Sequence, residues 1–175
     1  MPGWAIWRRK RPMTDQIDPD IRLIERFLFD EAQMLDDRRF DEWLSLFSDS
    51  GWYWVPIMAN QDNPFDTVSI IYDDRKLLET RVRRLNNANI HAESPPARTS
   101  RIVGNFILEN VDQASGNYDV SSRFQLVEFR GDKQRLFAGS TRHILSPDDA
   151  GFVIEGKRIN LVNSAGMLEG ITTLL

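Results

Sequence analysis

The chain has 175 residues, a formal net charge of -4 and no cysteine. The missing thiols exclude disulfides, thiolate zinc sites, iron–sulfur clusters and a cysteine nucleophile within this chain. The acidic balance argues against general binding to nucleic-acid phosphates, which requires a basic face. With 41% hydrophobic and 27% charged residues the composition is that of a globular protein, and the length suits one domain.

The first segment, MPGWAIWRRKRPM, is basic but lacks the apolar stretch and small-residue cleavage site of a signal peptide. It is either an arm that binds an acidic partner or nucleic acid, or a disordered tail or untranslated upstream sequence with Met13 as the start. The second interpretation is favoured because termini are usually loose. We expect a flexible arm at 1–17 and a single α+β domain at 18–175. No apolar run approaches the ~20 residues of a membrane helix. The absence of cysteines fits a cytoplasmic protein, which is the expected location.

Two amphipathic helices are predicted first. Asp18-Pro19 has the form of an N-cap followed by proline at the first helical position, and apolar residues then recur at helical spacing as far as Leu35. A shorter helix is predicted over Phe40–Phe47, where apolar residues fall at i, i+3, i+4 and i+7, and Gly51 is expected to end it.

Extended segments dominate the rest of the chain. Trp52–Met58 is aromatic and β-favouring, and Pro56 within it indicates an edge strand or a bulge. Further extended stretches are predicted at 68–72, 102–111, 118–126, 136–145 and 152–163, with a hairpin turn at RGDKQ and a bulge at Gly156. Helices followed by antiparallel strands indicate an α+β fold, a strongly curved sheet with helices on its concave side. Such a cone either holds a pocket or is filled.

The segment YDDRKLLETRVRRL, residues 72–85, holds two adjacent acids and a run of basic residues. Asp73 or Asp74 is expected to cap a helix with an apolar stripe running from Leu77 to Leu85. A catalytic pair is disfavoured because neighbouring helix residues point in different directions, and a nucleic-acid helix is disfavoured because no aromatics interleave. A solvated face and a protein contact both stay open, since arginine pairs well with carboxylates in contact patches.

Two hypotheses that would make this chain an enzyme have little support in the sequence. His91, His143 and Glu93 are the residue types of a two-histidine, one-carboxylate iron site. Their spacing does not show that they converge, so two ordinary polar histidines are favoured.

In the second hypothesis, a cone pocket buries Asp36, Asp37 or Tyr72 against an apolar wall and raises a carboxyl pKa toward neutrality, which suits proton abstraction or dehydration. The sequence DDRRFDEW has the character of a solvated turn between helices, which is favoured instead. The glycine fingerprints of α/β-hydrolases, P-loops and dinucleotide-binding folds do not occur.

Several segments together resemble the β (small) subunit of bacterial aromatic-ring-hydroxylating dioxygenases, the Rieske non-haem iron oxygenases. They are the helical pair FLFDEAQMLDDRRFDEWLSLF, the strand WYWVP, the YDD step followed by leucines and spaced arginines, the loop HAESPPARTSRIVGN, and FAG with the closing strand. The chain departs from this pattern at Ser140-Thr141, where arginines are frequent, at Ala97 and at Gly156.

The resemblance implies a nuclear-transport-factor-two-like (cystatin-like) cone fold and a partner α subunit that carries a Rieske [2Fe-2S] cluster and mononuclear Fe(II). It implies an α3β3 assembly with a β trimer, electrons from NAD(P)H through a reductase and often a ferredoxin, and dihydroxylation of an aromatic ring to a cis-dihydrodiol. No catalytic, cofactor-binding or metal-binding residue is expected in this chain. The charged residues expected at subunit contacts are Asp73, Asp74, Arg81, Arg84, Arg98 and Arg101. The alternatives are a stand-alone cone-fold isomerase or dehydratase and a small-ligand binding protein.

Overall fold

The computed structural model describes residues 19–87, 95–149, 151–164, 166 and 170–175. The predicted arm, Asp18, and the loop with His91 and Glu93 lie outside these ranges. The elements in chain order are α1 (Pro19–Asp36), α2 (Phe40–Ser45), β1 (Phe47–Pro56), β2 (Ser69–Asp74), α3 (Arg75–Asn86), β3 (Arg98–Val111), β4 (Tyr118–Arg130), β5 (Lys133–Asp148) and β6 (Gly151–Leu161).

The strands form one six-stranded sheet in the order β2-β1-β6-β5-β4-β3. Only the β1–β6 pair is parallel among these neighbours, so the sheet is mixed but mostly antiparallel. The predicted hairpin turn is confirmed, because β4 ends at Arg130 and β5 begins at Lys133. The α+β class and the curved sheet with helices against it are confirmed.

The core lies between the helices and one face of the sheet. Because successive strand residues point to opposite faces, every second residue of β4 and β5 is buried. Burying each such aliphatic side chain contributes roughly 1.5–3 kcal/mol. The central residues of this core are Ile24, Leu28, Leu35, Leu78, Val120, Leu126, Leu145, Ile154 and Ile159.

The second helix is shorter than predicted. It ends at Ser45, and Phe47 already belongs to β1. Phe47 nevertheless stays buried and packs edge-on against Trp43 with ring centroids 4.9 Å apart. The helical spacing of the apolar residues was therefore misleading, because a strand that starts beside the helix brings Phe47 to the same core.

The expectation of an edge strand at Pro56 is wrong, because β1 is paired on both sides, with β2 and β6. The register does shift between Val55 and Pro56, as a bulge at this proline would require. Between β5 and β6, Ile144 pairs with Gly156 and Leu145 pairs with Ile154, so Glu155 is the extra residue of β6. The bulge predicted at Gly156 is thus present, and its extra residue is the preceding one, Glu155.

Candidate functional site

A cluster of ionisable side chains is buried inside the cone, between α1 and the sheet. Glu31 of α1 accepts hydrogen bonds from Lys157 Nζ at 2.8 Å and from Trp43 Nε1 at 3.0 Å, both on Oε1. Its other oxygen, Oε2, lies 3.1 Å from His143 Nε2. All four side chains are buried. The carboxylate therefore joins α1 to α2, β5 and β6.

The electrostatics around Glu31 favour the charged form of its carboxyl group. Burial by itself raises the pKa of the Glu31 carboxyl, but the charge of Lys157 and the charge and hydrogen bond of His143 outweigh it. The resulting pKa lies well below its ordinary value. A general base works best with a pKa near the working pH, so Glu31 is suited to an internal ion pair and not to proton abstraction.

The space beside this cluster is small. A cavity of about 20 Å³ is lined by His143, Lys157, Phe106, Phe124 and other residues of the cone interior. A void of this size holds about one water molecule. His143 Nδ1 is buried there without a hydrogen-bond partner in the described part of the chain. Among the described residues, this space leaves no room for an organic substrate.

The three residues of the pocket hypothesis do not meet. Asp36, at the end of α1, accepts from Thr99 Oγ1 at 2.8 Å and from the backbone N–H of Arg101 at 2.7 Å, and it also pairs with the Arg101 guanidinium. Asp37 is exposed, and Tyr72 lies in β2 on the outer face of the sheet. The predicted solvated turn is correct for the exposed Asp37. It is wrong for Asp36, whose hydrogen bonds connect the end of α1 to β3.

The two acids of the YDD step have different partners. Asp73 is buried and accepts a hydrogen bond from Arg81 Nε at 2.5 Å. Asp74 is the N-cap of α3, where its side chain accepts from the backbone N–H of Leu77 at 2.9 Å. The expected helix cap is therefore Asp74, and Asp73 holds α3 against β2 through Arg81.

The remaining contact candidates are spread over the surface and interior. Arg84 is exposed on α3. Arg98 is exposed on β3 with its guanidinium 5.1 Å from the ring centre of Phe129. The Arg101 side chain is only 3% exposed and donates to the backbone carbonyl of Leu174 as well as to Asp36. The six candidates thus do not form one cluster in the single chain, and their part in subunit contacts stays a prediction.

An apolar surface on the outer face of the sheet was not predicted. It comprises Ile102, Val127, Phe129, Leu136 and Val162, and we call it the outer apolar patch. Ile102, Leu136 and Val162 are 74%, 62% and 79% exposed. Val127 pairs directly with Leu136 across β4 and β5, and the backbone of Val162 bonds to Ala138 beside them. The sequence signal was available: apolar residues occupy both alternating sets of positions in β3 and β4, where a sheet with one wet face shows polar residues in one set.

No group of three His, Asp or Glu side chains in the described ranges is arranged to hold a metal ion. His143 is therefore not part of such a group there, and the iron hypothesis otherwise falls on His91 and Glu93, which are outside those ranges. None of the described helices has the length and apolar character needed to cross a membrane.

The chain is similar to named dioxygenase subunits. It is 31% identical over 163 residues to a benzene 1,2-dioxygenase subunit beta of Pseudomonas putida, which covers 87% of this chain and 85% of that protein. It is 30% identical over 132 residues to the benzoate 1,2-dioxygenase subunit beta of Acinetobacter baylyi, which covers 71% of this chain and 76% of that protein.

Solved structures of dioxygenase chains have a similar fold. The benzoate 1,2-dioxygenase beta subunit of Burkholderia mallei matches with a TM-score of 0.70 and 26% identity, over 86% of this chain and 95% of that one. A chain of naphthalene 1,2-dioxygenase shares the fold with a TM-score of 0.69 at 14% identity, over 89% of this chain and 83% of that one. The expected cone fold is confirmed. Residues 30–165 match the family described as "Ring hydroxylating beta subunit", and the chain belongs to that family.

Proposed function

We propose that this chain is the non-catalytic β subunit of a cytoplasmic aromatic-ring-hydroxylating dioxygenase and supports assembly of an α3β3 oxygenase around a β trimer. Membership of the ring-hydroxylating β-subunit family supports this role. In this proposal the α subunit carries the Rieske [2Fe-2S] cluster and the mononuclear Fe(II), and receives electrons from NAD(P)H through a reductase or ferredoxin. The complex adds both atoms of O2 to an aromatic ring and yields a cis-dihydrodiol.

The outer apolar patch is the observation that carries the assembly role. Contiguous exposed apolar surface on one face of a sheet marks a contact site in soluble proteins. Ile102 and Val162 stand at its two sides, each about three-quarters exposed in the single chain. Arg98 beside Phe129 adds a cation of the kind that is enriched in protein contacts. We infer that a neighbouring subunit of the hexamer covers this patch.

The small space beside Glu31 weighs against the dehydratase or isomerase alternative. Such an enzyme needs a substrate cavity and a base whose pKa lies near neutrality. The cavity beside Glu31 is about 20 Å³, and the pKa of Glu31 is lowered.

The experiment is co-expression with the neighbouring open reading frames, followed by native mass measurement and iron analysis. We expect an α3β3 mass with iron. Val162→Glu places a charge in the patch, and we expect it to abolish or strongly reduce the hexamer. Val68→Glu is the matched control, because Val68 is 71% exposed but lies outside the patch.

Circular dichroism of both isolated variants should match that of the unchanged chain, since each replaced side chain is exposed. Equal hexamer formation by Val162→Glu and Val68→Glu would contradict the proposed use of the patch. An isolated chain that is monomeric, iron-loaded and active on arenes would contradict the assembly role.

A further inference from the structure

A second surface on the outer face of the sheet has the form of a ligand site. It is a groove of about 390 Å³ where β1, β2, β5 and β6 meet the loop after β1. Its volume lies within the range of small-molecule sites. We call it the Trp–Arg groove, and it is lined by Trp52, Trp54, Asp62, Pro64, Phe65, Tyr72, Arg142, Ile144 and Arg158.

Aromatic rings form one wall of the groove. Trp54 packs edge-on against Tyr72 with ring centroids 6.5 Å apart, and Tyr72 packs edge-on against Phe65 at 5.3 Å. Phe65 also lines the groove and is 78% exposed, so its ring lies at the surface and not in the core. A flat aromatic ligand could pack against such rings edge-to-face or offset-stacked, with ring centroids roughly 4.5–7 Å apart.

Two arginines also line the groove, next to these aromatic rings. Arg142 of β5 and Arg158 of β6 are direct cross-strand partners. Like charges placed directly opposite are destabilising unless something neutralises them. Arg142 is neutralised by Asp119, with which it forms a two-pronged pair. Arg158 has no such carboxylate partner among the described residues.

Arg158 is held in place by neutral groups. Its Nε donates to Asn160 Oδ1 at 2.9 Å, its Nη2 donates to the carbonyl of Ala59 at 2.8 Å, and its guanidinium lies 4.4 Å from the ring centre of Trp54. Burial lowers the pKa of Arg158, the charge of Asp62 opposes this, and Arg142 adds to the lowering. The guanidinium is therefore fixed, charged and beside an aromatic wall.

A guanidinium recognises a carboxylate with two parallel hydrogen bonds, and a fixed one loses little freedom in doing so. A carboxylate near Arg158 would also relieve the repulsion from Arg142. The aromatic wall next to it requires an apolar, flat body on the same molecule. Asp62, which also lines the groove, disfavours ligands with more than one negative charge.

We propose that the Trp–Arg groove binds a small aromatic monocarboxylate, with its carboxylate on Arg158 and its ring against Tyr72 and Phe65. The inference does not depend on the assembly role. It concerns this chain alone and assigns no chemistry to the groove.

The first test is calorimetric titration of the full chain with benzoate. We expect saturable binding at one site, with a change in tryptophan fluorescence. Benzamide, which has the same shape without the charge, and acetate, which has the charge without the ring, should bind far more weakly. Absence of saturable benzoate binding, or equal binding of benzamide, would overturn the proposal.

Variants locate the site. Arg158→Gln should weaken benzoate binding about 10- to 100-fold, the effect of losing charged hydrogen bonds. Phe65→Ala should also weaken it, and because this ring is largely exposed the variant should keep the melting temperature of the unchanged chain. Arg26→Gln on α1 is the charge-matched control outside the groove and should bind normally. Unweakened binding by both Arg158→Gln and Phe65→Ala would overturn the assignment.

The second test uses the co-expressed complex and 4-azidobenzoate, which couples to nearby residues on illumination. We expect labelled peptides from 52–72 of this chain, and competition by benzoate. Absence of label from peptides 52–72, in a complex of intact α3β3 mass, would overturn the groove as a ligand site of the complex. Because the native mass is read separately, failure of the groove and failure of the assembly role are distinguishable.

Discussion

Glu31 of α1 and Lys157 of β6 form an ion pair inside the cone, with 2.8 Å between Oε1 and Nζ. Both side chains are 4% exposed. His143 and Trp43 supply the remaining partners of the carboxylate. Buried charges are tolerated only when paired and hydrogen-bonded, so each member of this cluster depends on the others.

The first prediction concerns Lys157→Met. It leaves the Glu31 carboxylate buried without its cation, and we expect a loss of about 3–5 kcal/mol in the free energy of unfolding, measured by urea denaturation. Lys76→Met on the exposed side of α3 is the matched control and should change the free energy by less than about 0.5 kcal/mol. The double variant Glu31→Gln/Lys157→Met should lose less than Lys157→Met alone. A double variant that is less stable than Lys157→Met would contradict this coupling.

The second prediction is a pH dependence. The pKa of Glu31 is lowered in the folded chain, from an ordinary value of 4.5. A lowered carboxyl pKa stabilises the fold above the unfolded pKa, and the contribution is lost as the pH falls below about 4.5, by up to about 1.4 kcal/mol per pH unit. Between pH 5 and pH 3, Glu31→Gln should therefore lose stability less steeply than the unchanged chain. Equal slopes in urea denaturation would show that Glu31 is not the acid-sensitive group.

The third prediction compares two adjacent acids. Asp36→Ala removes the acceptor of the buried Arg101 guanidinium and of the Arg101 backbone N–H. We expect a loss of about 3 kcal/mol in unfolding free energy, because a buried charge is left unpaired. Asp37→Ala, at an exposed position next to it, should be nearly neutral. If the two variants denature at the same urea concentration, the Asp36 contacts carry little of the stability.

The fourth prediction concerns Gly139 in β5. A Cβ at this position would lie 2.1 Å from the backbone oxygen of Asn160 in β6, which cannot move aside easily. Gly139→Ala should cost about 1–3 kcal/mol by overpacking and lower the melting temperature. Gly104→Ala in β3 is the control, because a Cβ there meets no atom within 4 Å. A melting temperature unchanged by Gly139→Ala would mean that the two strands separate at little cost.

The fifth prediction tests the exposed arginines at subunit contacts. Arg84→Ala and Arg98→Ala should each reduce the share of hexamer in analytical ultracentrifugation, since both side chains are exposed and available to carboxylates of a neighbour. Arg26→Ala, also an exposed arginine in a helix, is the control. Arg81→Ala should loosen the hexamer too, but it also leaves Asp73 buried without its partner, so it should lower the stability of the isolated chain. Hexamer shares equal to that of Arg26→Ala would remove these arginines from the interface.

The sequence predicted helices and strands well where the apolar residues fit only one spacing, that of a helix or that of a strand. The alternation in 118–126 and the turn at 130–134 gave β4 and its hairpin, and the capping acids gave the start of α3. The end of the second helix was missed because Phe47 satisfies a helical spacing while belonging to a strand. Phe47 packs on Trp43 from the start of a strand and not from the end of a helix. This tertiary contact cannot be recognised from the spacing of a few neighbouring residues.

The interior cluster was not predicted because its members are far apart in the chain. In the sequence, Glu31 is one acid among several in α1, Lys157 is an ordinary lysine in an extended segment, and His143 has the pattern of a polar strand residue. Only the pairing of β5 with β6 and the packing of α1 bring them within hydrogen-bond distance. The Trp–Arg groove has the same origin, since Arg142 and Arg158 become neighbours through strand register.

The parallel pairing of β1 with β6 also bears on how the chain folds. Trp52 is joined to Gly156, while β1–β2 and β3–β4–β5–β6 each pair consecutive strands. The hairpin and the four-strand meander can each form early, but the seam between them must wait for the sixth strand to be synthesised. Contacts so distant in sequence slow folding. During synthesis β1 therefore leaves the ribosome with the backbone groups of one edge unpaired. We expect nascent chains to be most prone to aggregation until β6 pairs with this edge.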